Sequence, residues 1–151
     1  MTAGLAAYAP VAGADVIRQL ERLAAPLRGL RVVHVNSTRA GGGVAEILQT
    51  LVPLMNELGL PTSWEVVEGS AGFFEATKQF HNGLQGQAVA VPGALFAEYE
   101  RVNAANAERL APVLRDADIV FVHDPQPAGL IRAFPGRRGR WIWRCHIDAS
   151  R

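Results

Sequence analysis

Three of the four histidines in this chain stand at or near the ends of short apolar runs, each with an amide or carboxylate close by. His34 precedes Asn36, His123 adjoins Asp124, His146 precedes Asp148, and Glu68 follows a further apolar run. Imidazole and carboxylate groups gathered at one place can hold hydroxyls or move protons. A second signal is Gly41-Gly42-Gly43, just ahead of Val44, where a helical apolar period begins. Glycines let backbone N–H groups approach an anion without interference from Cβ, and a helix start adds about half a positive charge, so a phosphate would be well held there. The plain alternatives are that a strand-end histidine is a satisfied structural group and that a glycine-rich turn serves tight geometry alone.

Named motifs narrow the chemistry. A dinucleotide fingerprint needs G-x-G-x-x-G/A, and counting from Gly41 and Gly43 puts Glu46 where a small residue belongs, which disfavours an NAD-dependent oxidoreductase even though Glu68 could imitate the ribose-binding acid. The Walker pattern G-x-x-x-x-G-K-[ST] is absent. His123, Asp124, His146 and Asp148 carry suitable metal donors, but no pair has H-x-x-x-H spacing, and no metal is expected.

These residues need elements to position them. Val16, Ile17, Leu20, Leu23, Ala24 and Leu27 form a helical stripe over 15–27, ended by a turn at Gly29. The run 31–36 is short, β-branched and nearly all apolar, as in a strand buried on both faces. A helix opens at Val44 and closes at Gly59; 62–67 is a second strand; Gly69 to Gly72 turns into a helix around Phe73, Phe74, Ala76 and Phe80. Pro92 fits the start of another helix, 118–123 and 140–145 are a third and fourth strand, and 125–134 is a short helical crossover. Strands alternating with helices predict an α/β domain with a doubly wound, mainly parallel sheet, whose ligands sit at the carboxyl ends of its strands.

The 151 residues are 49% apolar and 19% charged, which fits one compact domain and rules out disorder. A net charge of +1 supplies no field for nucleic acid or an anionic membrane, although 132–151 holds six arginines and one acid. The Ala-rich start lacks a basic region and 79–97 is broken by polar residues, Gly and Pro92, so neither a secretory signal nor a membrane span is expected. The single Cys145 forbids an internal disulfide and fits the reducing cytoplasm. An open-ended sheet leaves an edge and apolar surface, so association into a homo-oligomer is expected.

Three blocks carry a resemblance: HVNSTRAGGGVAEIL at 34–48, DIVFVHDPQPA at 118–128 and WIWRCHID at 141–148. Together they resemble the N-terminal half of the trehalose-forming, glycosyltransferring trehalose synthases, retaining enzymes of glycosyltransferase family 4 with the GT-B fold. The resemblance implies that residues 1–151 are one Rossmann-like unit, a truncated acceptor-side half without the C-terminal nucleotide-sugar domain, inactive alone. The activity implied is transfer of glucose from a nucleoside diphosphate glucose to glucose, giving trehalose, with no further cofactor. The phosphorolytic counterpart, trehalose phosphorylase, and a non-catalytic sugar- or partner-binding module remain alternatives. By resemblance, Gly42, Gly43 and the helix start at Val44 would meet the donor phosphates, and Asp124 beside His123 would bond sugar hydroxyls. His146 would contact the donor sugar near the reacting carbon, and Glu68, His81 and Asn82 would line the acceptor pocket.

Overall fold

The computed structural model describes residues 4–148. Four strands, β1 (Val32–Asn36), β2 (Thr62–Val66), β3 (Ile119–His123) and β4 (Arg140–Arg144), form one all-parallel sheet in the order β2-β1-β3-β4. The principal helices are α1 (Ala9–Ala12), α2 (Ala14–Ala24), α3 (Gly43–Glu57), α4 (Ala71–Leu84) and α5 (Gly93–Arg115), with 3-10 turns at Leu5–Tyr8, Ala25–Leu27 and Gln126–Ala133. The α/β Rossmann-like architecture is the one expected from the alternating patterns. Boundaries moved for local reasons. Pro26 turns the end of the first predicted helix into a 3-10 turn, Pro92 caps α5 from outside, and Leu5–Ala12 is helical although its sequence has no amphipathic period.

The sheet is buried unequally on its two faces. Val33, Val35, Val120 and Val122 alternate onto one face and meet Val102, Ala107, Leu110 and Leu114 of α5, Phe73 and Ala76 of α4, and Leu130. Val32 lies on the other face with Ala24 and Leu60, and Ile119 and Phe121 pack there at the margin of a smaller cluster. Central β1 is wholly buried, whereas edge strand β4 leaves Ile142 and Trp143 exposed. Gly139 is required before β4, because a Cβ there would lie 2.2 Å from the Ala117 carbonyl oxygen.

Chain direction across the sheet sets where a ligand can enter. From β1 the chain steps outward to β2, then crosses back over β1 to reach β3 and continues away to β4. The order therefore reverses between β1 and β3, and in open parallel sheets that switch point, outside the carboxyl ends of the strands, is where ligands bind. Out of β1 comes the triple-glycine loop; out of β3 comes Asp124.

Candidate functional site

Register decides which polar side chains meet. His34 pairs in the ladder with Phe121, so His123 is two residues further toward the carboxyl edge; His123 pairs with Arg144, so His146 is two residues beyond the end of β4. Steps of two keep side chains on one face of a sheet. Three imidazoles thus climb diagonally across β1, β3 and the end of β4. His34 Nδ1 lies 2.9 Å from His123 Nε2, and His123 Nδ1 lies 2.8 Å from His146 Nε2. The rings are joined in line, nitrogen to nitrogen, and His34 also stacks on Phe121 at 4.8 Å.

Burial and charge keep this column neutral. His34 is 2% exposed and His123 1%, while His146 is partly open at the edge. Burial, aided by the Arg144 cation, pushes the His34 pKa down to about 4. Burial lowers His123 to about 3, with His34, His146 and Arg144 acting in the same direction. His146 is also lowered by burial, against an opposing pull from the Asp124 carboxylate.

Asp124 is fixed as tightly as the rings. Its backbone has φ 61°, a left-handed conformation that Asp tolerates better than most side chains. Asp124 N–H donates to the Arg144 carbonyl at 3.0 Å, Trp143 Nε1–H donates to the Asp124 carbonyl at 2.9 Å, and Asp124 Oδ1 accepts the His146 backbone N–H at 2.7 Å. Tyr99 of α5 anchors the following turn, donating to the Pro125 carbonyl at 2.9 Å and accepting Gly129 N–H at 2.8 Å.

The glycine loop lies next along the same edge. Gly41 and Gly42 have φ of 74° and 96°, so the turn itself demands them. Gly43 is different: its φ is ordinary and a Cβ there would meet no atom within 4 Å, so open space surrounds it. No side chain caps α3, which leaves its first N–H groups pointing outward beside the loop. Asn36 steadies the loop's root, donating to the Thr38 carbonyl at 2.8 Å and accepting Trp64 Nε1–H at 2.7 Å.

The remaining predicted residues stand elsewhere. Glu68 is exposed beyond β2, its carboxylate 3.5 Å from Arg109 Nε, in a hollow of about 320 Å3 shared with Ser70, Arg101 and Asn106. The lining of that hollow contains none of the three linked histidines and none of the loop glycines. His81 and Asn82 are partly buried in the last turn of α4, which runs antiparallel to the first half of α5, as shown by Phe73 against Tyr99 and Phe80 against Phe96. A hollow of about 590 Å3 lies at the opposite, amino edge, where Arg31, Arg115, Arg138 and Arg140 surround Asp116 and Asp118.

The structure thus brings His123, Asp124 and His146 together and adds two groups that sequence reasoning had not assigned, His34 and Arg144. Their signal lies in the register alone: His34 stands opposite Phe121, two residues before His123, and Arg144 stands opposite His123. Chemically, the cluster offers a neutral imidazole, one carboxylate oxygen already engaged and a second, Oδ2, with no partner among the described residues. Such groups hold hydroxyls.

Over residues 34–151 the sequence matches the family described as trehalose synthase, N-terminal domain. It is 50% identical over 149 residues to a trehalose synthase of Rubrobacter xylanophilus, covering 97% of this chain and 36% of that protein. Against a trehalose synthase of Pyrococcus horikoshii it is 44% identical over 144 residues, covering 95% of this chain and 34% of the relative. A trehalose phosphorylase of Pleurotus pulmonarius is 31% identical over 156 residues, 93% of this chain and 21% of that protein. The chain spans about a third of the length of the trehalose synthases it matches.

Proposed function

The chain belongs to the trehalose synthase N-terminal domain family, and from that premise we propose that it is the acceptor-side part of a retaining GT-B glycosyltransferase acting in the cytoplasm. The reaction is transfer of glucose from a nucleoside diphosphate glucose to glucose, giving trehalose. One observation carries the proposal: His123, Asp124 and His146 converge at the carboxyl edge of the sheet, the same edge at which β1 leads into the glycine loop and the uncapped start of α3.

The chemistry assigned to each group follows from charge development. A departing diphosphate gains negative charge, so fixed N–H donors at Gly43, Val44 and the start of α3 stabilise the transition state more than the ground state. His146 and the open oxygen of Asp124 hold sugar hydroxyls and favour the positive character that grows at the anomeric carbon. Glu68, His81 and Asn82 are assigned to the acceptor side. The cations that neutralise the leaving group, and the nucleotide contacts, come from a second unit outside these residues, so this chain alone turns over slowly or not at all. No cofactor is assigned.

Backbone amide NMR titration tests this reading. Glucose or trehalose should shift Asp124 and His146, and UDP-glucose should shift Gly42 to Val44. Asp124→Asn, which tolerates the left-handed backbone, should weaken the sugar response while leaving the UDP-glucose response in place. Shifts confined to the amino-edge hollow around Arg31, Asp116 and Asp118, or none at millimolar ligand, overturn it. Phosphorolysis of trehalose is the second reading, favoured by the likeness to the Pleurotus phosphorylase; inorganic phosphate with trehalose shifting the glycine loop where UDP-glucose does not would select it.

A further inference from the structure

A sugar contact at His146 does not explain why two buried histidines stand behind it. Each neutral imidazole carries one proton, and each nitrogen-to-nitrogen bond needs one donor and one acceptor. The pairs are His34 Nδ1 with His123 Nε2, and His123 Nδ1 with His146 Nε2. Only two arrangements satisfy both. Either all three rings carry the proton on Nδ1 and donate toward His146, or all three carry it on Nε2 and donate toward His34.

The two ends of the column choose between them. His34 Nε2 is buried with no hydrogen-bond partner among the described residues. A proton there would be an orphaned buried N–H, which folded proteins avoid more strictly than an unused lone pair. At the other end, Asp124 accepts the His146 backbone N–H, so its negative charge lies toward the backbone side of the ring, where Nδ1 is found. That charge favours a proton on Nδ1. Arg144, the cation whose charge acts on all three rings, disfavours a second proton on any of them.

We propose that His34 and His123 are positioning residues that hold His146 as a neutral imidazole with its proton on Nδ1, so that it presents an N–H donor at the carboxyl edge. That the partner is a sugar oxygen rests on the function proposed above; the tautomer does not. Aspartate at position 124 and two imidazoles in series thereby fix the polarity of a group that would otherwise sample both forms.

Long-range 1H–15N correlation spectra of the 15N-labelled chain at pH 7 read this directly, because protonated and bare ring nitrogens resonate far apart. All three rings should show a protonated Nδ1. His123→Phe should return His146 to the Nε2–H form that free histidine prefers, and His123→Asn, whose amide NH2 replaces the Nδ1 donor, should restore Nδ1–H. Should His123→Phe not fold, the unsubstituted spectrum and His34→Phe, which frees His123 to turn, decide. An Nε2–H form of His146 in the unsubstituted chain, or Nδ1–H persisting in a folded His123→Phe, overturns the proposal. Because these spectra need no ligand, correct tautomers combined with an indifferent response of His146 to glucose and trehalose would remove the sugar role and leave the positioning role standing.

Discussion

Gly43 separates two explanations that its neighbours leave entangled. At Gly41 and Gly42 the left-handed backbone alone accounts for glycine, so substitution there would strain the turn whatever the loop binds. Gly43 opens α3 with an ordinary φ and empty space where its Cβ would be. Gly43→Ala should therefore fold as well or slightly better, gaining up to about 1 kcal/mol from the lost freedom of the unfolded chain. If the loop amides meet a phosphate, the same methyl blocks the approach, and UDP-glucose affinity measured by calorimetry should fall roughly tenfold, about 1.4 kcal/mol. An unchanged affinity beside an unchanged melting temperature would leave the glycines with turn geometry alone. Residue-scale legibility was uneven for a physical reason. His123, Asp124 and His146 stood out because polar groups interrupt apolar runs where strands end, a local signal. His34, near the end of its run, showed the same local signal, but its link to His123 depends on which residue of β3 lies opposite, which no local pattern contains.

Elements were legible wherever burial imposed a period. Each strand showed as a short run of β-branched and aromatic residues, and the predicted runs differ from β1 to β4 by one residue at an end. What the pattern could not reveal was how far α5 reaches. Its lower half covers the sheet through Leu110 and Leu114, while its upper half rises past the carboxyl edge to meet α4. Asn106 marks the crossing point. It accepts Glu68 N–H at 2.9 Å, donates to the Glu68 carbonyl at 2.7 Å, and is itself 3% exposed. A side-chain amide thus replaces the missing ladder partner of the chain leaving β2. Asn106→Ala strips both groups of their partner, costing about 2 kcal/mol, and should lower the melting temperature by roughly 4–8 °C. Asn106→Asp, which keeps the acceptor and loses the donor, should fall between. A drop below 1 °C for the alanine variant would mean that water replaces the clamp without loss.

For the whole molecule, the histidine column ties stability to pH. His34 and His123 have pKa values held well below the ordinary histidine value of 6.5 in the folded chain, and the unfolded chain returns them to it. Between about 4 and 6.5 the unfolded state therefore binds protons that the native state refuses, and stability rises with pH through that window. The contribution is fully present above pH 6.5 and is lost on acidification, with a slope approaching about 1.4 kcal/mol per pH unit for each of the two rings. Arg144 strengthens the effect because protonating either ring would bring a second positive charge beside its own. Thermal unfolding followed by circular dichroism from pH 8 to pH 4 should show a steady fall in melting temperature beginning near pH 6.5, above the range in which most carboxylates titrate. His34→Phe removes one of the two rings and should flatten that slope while keeping an aromatic ring against Phe121. A melting temperature unchanged between pH 7 and pH 5 would mean that both rings take up protons in the folded chain, and the neutral, directional column at the carboxyl edge would have to be abandoned.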